Sequence, residues 1–380
     1  MNLLFWYRSL MRSVGAALVK LIATATSGLV SFTTNVIRPV KVTCEFSPFQ
    51  EGSGDPSPDN VRPISGWSEC GVFQAQKNLF NKNAQPYRTG CYINEHAYVG
   101  GNLTSFITNN ANYNIYALPV KPGQNYVFGI IYASQPHMVA IDHNQKILGS
   151  YGRDGKSYRN CLVPDSAEYL LFSVAIGGSF KNIDDFQVEL GSDHSTYEAY
   201  HGAEIPITFT DPSTGDPLTV YGGTVTLNED GSADLVKEFA KWVEDGSRQP
   251  SIVPWGTFQN VTWVLFGPLP AALSQKGSSA QYISNNRKFI NINKRQDELN
   301  CFACYSASNF SFAYSVPNTV TNKEEAAAYF QENPTEIVYP LATPQTYHFD
   351  NIGQLKTFLG TNNIWHNMNG DITVEYWNKQ

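Results

Sequence analysis

Hydrophobic positions in this chain recur mostly at every second residue, in short runs broken by turn-forming residues. From Pro39 onward Val40, Val42, Cys44 and Phe46 alternate with polar partners, the pattern of a half-buried strand. Similar runs follow at 90–94, 114–118, 125–132, 138–142, 168–174 and 185–190, separated by turn signals such as Pro122-Gly123 and Asp154-Gly155. Short strands at this spacing predict an antiparallel sandwich. Further on, 220–227 and 233–236 flank Asn228-Glu-Asp-Gly231, a hairpin pattern, and strands are expected at 260–266, 288–292, 310–314 and 336–339. The chain is expected to end on a hairpin around Asn369-Gly370 that leads into 372–377.

Helical patterns are few. Thr321-Asn-Lys-Glu324 reads as a capping box that opens a short helix over 324–331, stopped before Pro334. A second short helix is expected over 352–359, ended by Gly360. Near the N-terminus Arg8, Arg12 and Lys20 fall on one helical arc, and Leu10, Val14, Ala17, Leu18 and Leu21 on the other. Lys20 within the apolar run argues against a signal peptide, although Ala23-Thr24-Ala25 has the form of its exit. The uncharged stretch after Lys20 is too short and too rich in Thr and Ser to span a membrane. An isolated helix of this length is marginal in water, so Leu10, Val14, Ala17 and Leu21 are expected to pack on another copy or a neighbouring protein.

The resulting division is a docking and oligomerisation helix at 1–38, an extended β lap at 39–75, a sandwich at 76–203 and a β-rich domain at 204–380 with two short helices. A chain of 380 residues is long enough for two or three domains. With 42% hydrophobic, 13% aromatic and 16% charged residues it can bury substantial cores and is not disordered. Its net charge of −7, with no Lys/Arg cluster beyond a loose N-terminal set, speaks against nucleic acid as a partner.

The six cysteines (44, 70, 91, 161, 301 and 304) are too sparse for a disulfide scaffold. Cys301-Phe-Ala-Cys304 has redox or zinc spacing, but it has no second CxxC and no nearby His pair. It also lies in a predicted strand, which turns the two thiols to opposite faces, so both are expected as buried free thiols. A cross-strand pairing of Cys44 with Cys70 is left open.

His137 and His143 share a strand face but would lie about 20 Å apart, too far for one metal. Asp184-Asp185 and Asp193-His194 are loop pairs able to take a structural calcium, but far from an EF-hand pattern, so no metal and no cofactor are assigned. Glu229/Asp230 lie in a turn and Glu324/Glu325 on a solvated helix face, so neither is the pair across a cleft that a glycosidase needs. With no Gly-x-Ser-x-Gly, phosphate-cradling loop or HExxH present, no catalytic residue is assigned and the chain is read as a non-enzyme. Loops His96-Ala-Tyr-Val99 and Ser150-Tyr-Gly-Arg-Asp154 place tyrosines beside polar groups, which makes Tyr98, Tyr151, Arg153 and Asp154 the candidate sugar contacts. The competing reading is that these tyrosines cover the sandwich edge; Trp255 and Trp263 are alternatives, with Trp263 placed in a core strand.

The turn-dense stretch 47–67 (Ser-Pro-Phe-Gln-Glu-Gly-Ser-Gly-Asp-Pro-Ser-Pro-Asp-Asn-Val-Arg-Pro-Ile-Ser-Gly-Trp), Leu218-Thr-Val-Tyr-Gly-Gly-Thr-Val225, Leu341-Ala-Thr-Pro-Gln-Thr-Tyr347 and Leu359-Gly-Thr-Asn-Asn-Ile-Trp365 resemble segments of structural proteins of tailed bacteriophages and prophages from Gram-positive gut bacteria. These belong to the tail-tip, baseplate and receptor-binding class. The run Asn78-Leu-Phe80, Val120-Lys-Pro-Gly-Gln-Asn-Tyr126, Phe172-Ser-Val174, Gln187-Val-Glu-Leu-Gly191 and Thr196-Tyr-Glu-Ala-Tyr200 resembles the carbohydrate-binding-module-like jelly roll of phage tail proteins. The resemblance implies a virion component that recognises host cell-surface carbohydrate, contacts other virion proteins and assembles as a homotrimer. The alternatives are a secreted glycan-degrading enzyme and a purely structural adaptor or capsid-attached fibre.

Overall fold

A computed structural model describes residues 16–23, 29–129, 138–142, 144–151, 158–178, 183–184, 186–192, 195–248, 250–252, 260–266, 282–291, 298–305, 311–368 and 370–379. The fold is mainly β, 54% strand against 5% helix, as the period-2 pattern predicts.

Two sheets share the first core. The seven-stranded sheet runs in the order Ala16–Ala23, Ile372–Lys379, Lys41–Phe46, Gly223–Leu227, Ala233–Glu244, Thr335–Phe349 and Ile283–Ser284. Facing it is a four-stranded sheet ordered Gly202–Thr208, Glu69–Ala75, Gly360–His366 and Leu29–Thr34. Val42, Cys44 and Phe46 turn inward from the first sheet and Val30, Phe32 and Val72 from the second, as strand alternation requires. Phe32 and Tyr376 stack across the gap with ring centroids 3.9 Å apart.

The N-terminal helix expected over this region is not what the described residues form. Residues 16–23 are a strand antiparallel to Ile372–Lys379, with Ala17 opposite Asn378 and Leu21 opposite Val374. Val19 and Leu21 pack on the core, while Leu18, Lys20 and Ile22 point outward and Lys20 reaches Glu375 at 3.6 Å. So short an apolar run satisfies both periods, and pairing to an open strand edge decides between them. Leu10 and Val14 lie outside the described residues.

The helix expected at 352–359 is also absent. This stretch runs extended beside 38–40, with the Val40 N–H donating to the Leu355 carbonyl (3.1 Å) and the Thr357 N–H to the Arg38 carbonyl (2.9 Å). Burial of Leu355 in the first core and Gly353 at φ +131° both favour that path. The strands on either side of Asn369-Gly370 do not pair as a hairpin: Gly360–His366 belongs to the four-stranded sheet and Ile372–Lys379 to the seven-stranded one. Gly370 makes that crossing possible, since a Cβ there would lie 1.6 Å from the Glu45 carbonyl oxygen.

Among the described residues there is one α-helix, α1, Lys323–Glu332. Its cap is Asn322, which accepts from the Glu325 N–H at 2.8 Å, and the Glu325 carboxylate returns to the Thr321 N–H at 2.7 Å. Ala326 and Phe330 anchor it on the third core.

The second core lies between a five-stranded sheet (Ile147–Tyr151, Met138–Ile141, Tyr169–Ala175, Ile107–Pro119, Arg88–Ile93) and a three-stranded sheet (Tyr158–Leu162, Asn125–Gly129, Gln187–Leu190). Every paired strand within these two sheets is antiparallel. The chain enters and leaves this unit side by side: the Gln76 N–H donates to the His201 carbonyl (2.8 Å) and the Asn78 amide to the Glu198 carbonyl (2.9 Å). Trp365, from the four-stranded sheet, completes the second core.

A third unit is carried on the long antiparallel strand pair Ala233–Glu244/Thr335–Phe349, whose pairing runs from Ala233↔Phe349 to Glu244↔Thr335. Its core holds a fully buried Arg287, whose Nε donates to Thr335 Oγ1 (3.0 Å) and Nη1 to the Ser315 carbonyl (2.7 Å), with the guanidinium 5.0 Å from the Phe330 ring centroid. In the strand Cys301–Tyr305, Cys301 packs with Trp263 on one face and Cys304 with Phe302 and Phe312 on the other, as the spacing predicts.

Phe172 is the hub of the second core, touching the rings of Phe80 (5.6 Å), Tyr116 (6.4 Å), Phe128 (5.2 Å) and Phe186 (5.3 Å). Phe172→Ala is expected to destabilise the protein by about 3–5 kcal/mol in chemical denaturation. A loss under about 1 kcal/mol would show that these rings are not a packed core.

Candidate functional site

The lap at 47–67 is shaped by side chains more than by backbone ladders. Phe49–Gln50 pairs briefly with Ile64–Ser65, and between them the Arg62 guanidinium donates to the carbonyls of Glu51 (2.8 Å), Gly54 (2.7 Å) and Gly52 (3.0 Å). The Asn60 amide does the same for Ser53 (3.2 Å) and Asp55 (3.0 Å). Gln50 Nε2 donates to the Ser284 carbonyl at 2.6 Å and ties the lap to the edge strand Ile283–Ser284 of the seven-stranded sheet. Carbonyls that no ladder satisfies are therefore held by two side chains.

This lap is one wall of a cleft of about 470 Å3. The opposite wall comes from the second unit: Pro119–Pro122 where the strand Ile107–Pro119 ends, the turn of Asp142 and Asn144, and Ser166–Tyr169. The crossing residues His366–Met368 line it as well. Phe49, Trp67 and Tyr169 supply aromatic surface, while Gln50, Glu51, Asp142, Glu168 and Asn367 supply polar groups.

Several of these groups are fixed locally. The Asp142 carboxylate accepts from the N–H groups of Asn144 (3.0 Å) and Lys146 (2.9 Å), which holds a tight turn with Gln145 at φ +61°. Asn367 Oδ1 accepts from the Gly71 N–H at 2.8 Å, and the Glu51 carboxylate accepts from the Ser65 hydroxyl at 3.2 Å.

Lys121 is 5% exposed, and its ammonium donates to the Met368 carbonyl at 3.1 Å. Burial pulls its pKa down to about 8, an effect opposed by the nearby thiols of Cys44 and Cys70. The buried His366 imidazole accepts the Met368 N–H at 3.1 Å through Nδ1. Its burial, with Lys121 next to it, holds its pKa well below the ordinary histidine value and keeps it neutral.

The residues expected as sugar contacts lie elsewhere. Tyr98 is 63% exposed and stands edge-on to Phe106 at 5.1 Å. Tyr151 is partly buried against the second core and donates its hydroxyl to the Leu162 carbonyl at 2.5 Å. The two loops are joined where the Ser150 hydroxyl donates to the Ala97 carbonyl at 2.6 Å. Neither tyrosine lines the cleft, and Arg153 and Asp154 lie outside the described residues. Asp184 pairs with Lys82 at 2.9 Å; Asp185, Asp193 and His194 are again outside the described residues.

The cleft residues come from six separate stretches of chain, so no local pattern marks them. One signal was readable: a lysine in Val120-Lys-Pro-Gly, directly after an apolar strand. No protein-family model, no curated protein and no solved structure matches this chain.

Because the folded Lys121 pKa is about 8 against about 10.4 in the unfolded chain, the unfolded state holds the extra proton between those values. Its contribution to stability therefore rises with pH across that window, and the full penalty of burying the charge is felt below pH 8. Lys121→Met is expected to melt above wild type at pH 7, with the gap narrowing between pH 8 and pH 10 in thermal scans. A gap independent of pH would contradict a buried ammonium.

Proposed function

We propose that this chain is a non-enzymatic virion component of a tailed phage, in the tail-tip, baseplate or receptor-binding class, that binds host cell-surface carbohydrate. In this reading the unit at 76–203 is a carbohydrate-binding-module-like jelly roll, and its sugar sits in the cleft between that unit and the first core. The observation that carries the proposal is the cleft itself: about 470 Å3, with three aromatic side chains among convergent amide and carboxylate groups. That volume falls within the range of roughly 300–1,000 Å3 typical of small-ligand sites. Aromatic faces stack on sugar C–H surfaces, and amides and carboxylates pair with hydroxyls.

Charge narrows the ligand class. Glu51, Asp142 and Glu168 line the cleft, and among the described residues the lysine that lines it, Lys121, is buried and bonded to Met368. Neutral or amino sugars are therefore favoured over phosphorylated or uronic-acid polymers. Asp142 is held in its turn by two backbone N–H groups and Glu51 by the Ser65 hydroxyl, which presents both carboxylates to a ligand in fixed positions.

The full chain is expected to bind neutral or amino-sugar glycans from host cell wall on a glycan array. Tyr169→Ala and Glu51→Gln should weaken binding at least about tenfold without changing the melting temperature by more than a few degrees. Loss with Tyr98→Ala but not with Tyr169→Ala would move the site to loop 96–99. Silence on every glycan would favour a structural adaptor, and release of reducing ends from cell-wall polysaccharide would favour an enzyme.

Assembly into a homo-oligomer, with three copies as the proposed number, belongs to the same reading. The support is strand Ala16–Ala23, which ends the order of the seven-stranded sheet and exposes Leu18 and Ile22. Light scattering should give a trimer mass for the full chain and a smaller one for Leu18→Glu/Ile22→Glu. A wild-type monomer at micromolar concentration would refute self-assembly.

A further inference from the structure

Cys44 and Cys70 sit on opposite sheets of the first core. Cys44 lies in Lys41–Phe46, opposite Val225 and Ile372, and Cys70 lies in Glu69–Ala75, opposite Ile207. Both are buried, at 0% and 1% exposure, and both are free thiols.

Residues on either side of the sheet crossing bond next to each of them. On one side Asn367 bonds to Gly71, next to Cys70: its side chain accepts the Gly71 N–H at 2.8 Å and its own N–H donates to the Gly71 carbonyl at 3.2 Å. On the other side the Asp371 carbonyl accepts the Glu45 N–H, next to Cys44, at 2.8 Å. The chain passes from one cysteine's neighbour to the other's within four residues, and the two thiols lie in one core cluster, where Cys44 pushes the Cys70 pKa up. Gly370 lies on the backbone of Glu45 and Phe46, where a Cβ would not fit.

We infer that Cys44 and Cys70 are a dithiol site that closes to a disulfide between the two sheets when the protein meets a disulfide oxidant such as glutathione disulfide. An inter-sheet bridge of this kind is the arrangement that immunoglobulin sandwiches use. One cysteine thiolate attacks a sulfur of the oxidant, whose S–S bond breaks, and glutathione leaves and takes up a proton. The second thiolate then attacks the protein sulfur of the mixed disulfide and expels the second glutathione, also protonated. Two protein thiols are oxidised and one glutathione disulfide is reduced. The neighbouring Cys44 and burial hold the Cys70 thiol well above its ordinary value, an effect the Lys121 ammonium opposes only in part, so the attacking thiolate is scarce in the folded protein. Both thiols are fully buried, so closure in the folded protein is slow and closure during refolding is fast. The inference rests on no reading of what the cleft binds.

The test compares full-length protein held in glutathione disulfide, folded or during refolding, with protein held in dithiothreitol. Peptide mapping by mass spectrometry is expected to find a 44–70 linkage at 2 Da below the reduced mass. The oxidised wild type is expected to melt about 5 °C higher. Cys44→Ser and Cys70→Ser should lose that gain, and Cys161→Ser should keep it. The inference is overturned if both thiols remain open to alkylation after oxidation and denaturation in either regime, or if the linkage joins other cysteines. Should a Ser variant fail to fold, the wild-type map alone decides.

Discussion

The placement of the last twenty residues between the first strands is the constraint on which the rest of this structure depends. Ile372–Lys379 lies between Ala16–Ala23 and Lys41–Phe46, and Gly360–His366 lies between Leu29–Thr34 and Glu69–Ala75. Both sheets of the first core therefore remain incomplete until residues 360–379 are in place. Pairings of such sequence separation are slow to form because loop closure must precede the contacts that reward it. Once formed, they fix the two sheets against each other, with Met368, Ile372, Val374 and Tyr376 filling the space between.

That closure also creates the cleft. Residues 366–368 belong to the crossing between sheets, and they meet the ends of the second unit's strands through the bond from Lys121 to Met368. The lap, held by Arg62 and Asn60, covers the remaining side. The cleft is thus assembled from parts that are ordered for other reasons: a sheet crossing, a strand end and a carbonyl-capped loop. Its acidic lining is Glu51, Asp142 and Glu168, set beside a buried lysine and a neutral histidine.

Strand content and much of the core were legible in the sequence, because alternation reports which face is buried. Val42, Cys44 and Phe46, the opposed faces of Cys301 and Cys304, and the burial of Trp263 all follow from period 2. The helix at 323–332 was legible because its cap is local, although Asn322 and not Thr321 holds the cap position. What the sequence concealed is non-local. Residues 18–22 fit a helix as well as a strand, and only pairing with Ile372–Lys379 decides. Asn369-Gly370 marks a turn, but not whether its flanking strands pair or part. The cleft was hidden for the same reason, since Trp67, Asp142, Tyr169 and His366 come together only through the closed sheets. The tyrosines chosen by loop composition, Tyr98 and Tyr151, lie away from it.

Hydrogen exchange read by mass spectrometry, with and without soluble fragments of host cell-wall polysaccharide, tests the cleft as a binding site most directly. The account predicts added protection in the stretches that build it, 49–52, 119–122, 142–146, 166–169 and 366–368, and none at 96–99. Protection confined to 96–99, or none in any cleft stretch at saturating fragment, would contradict it.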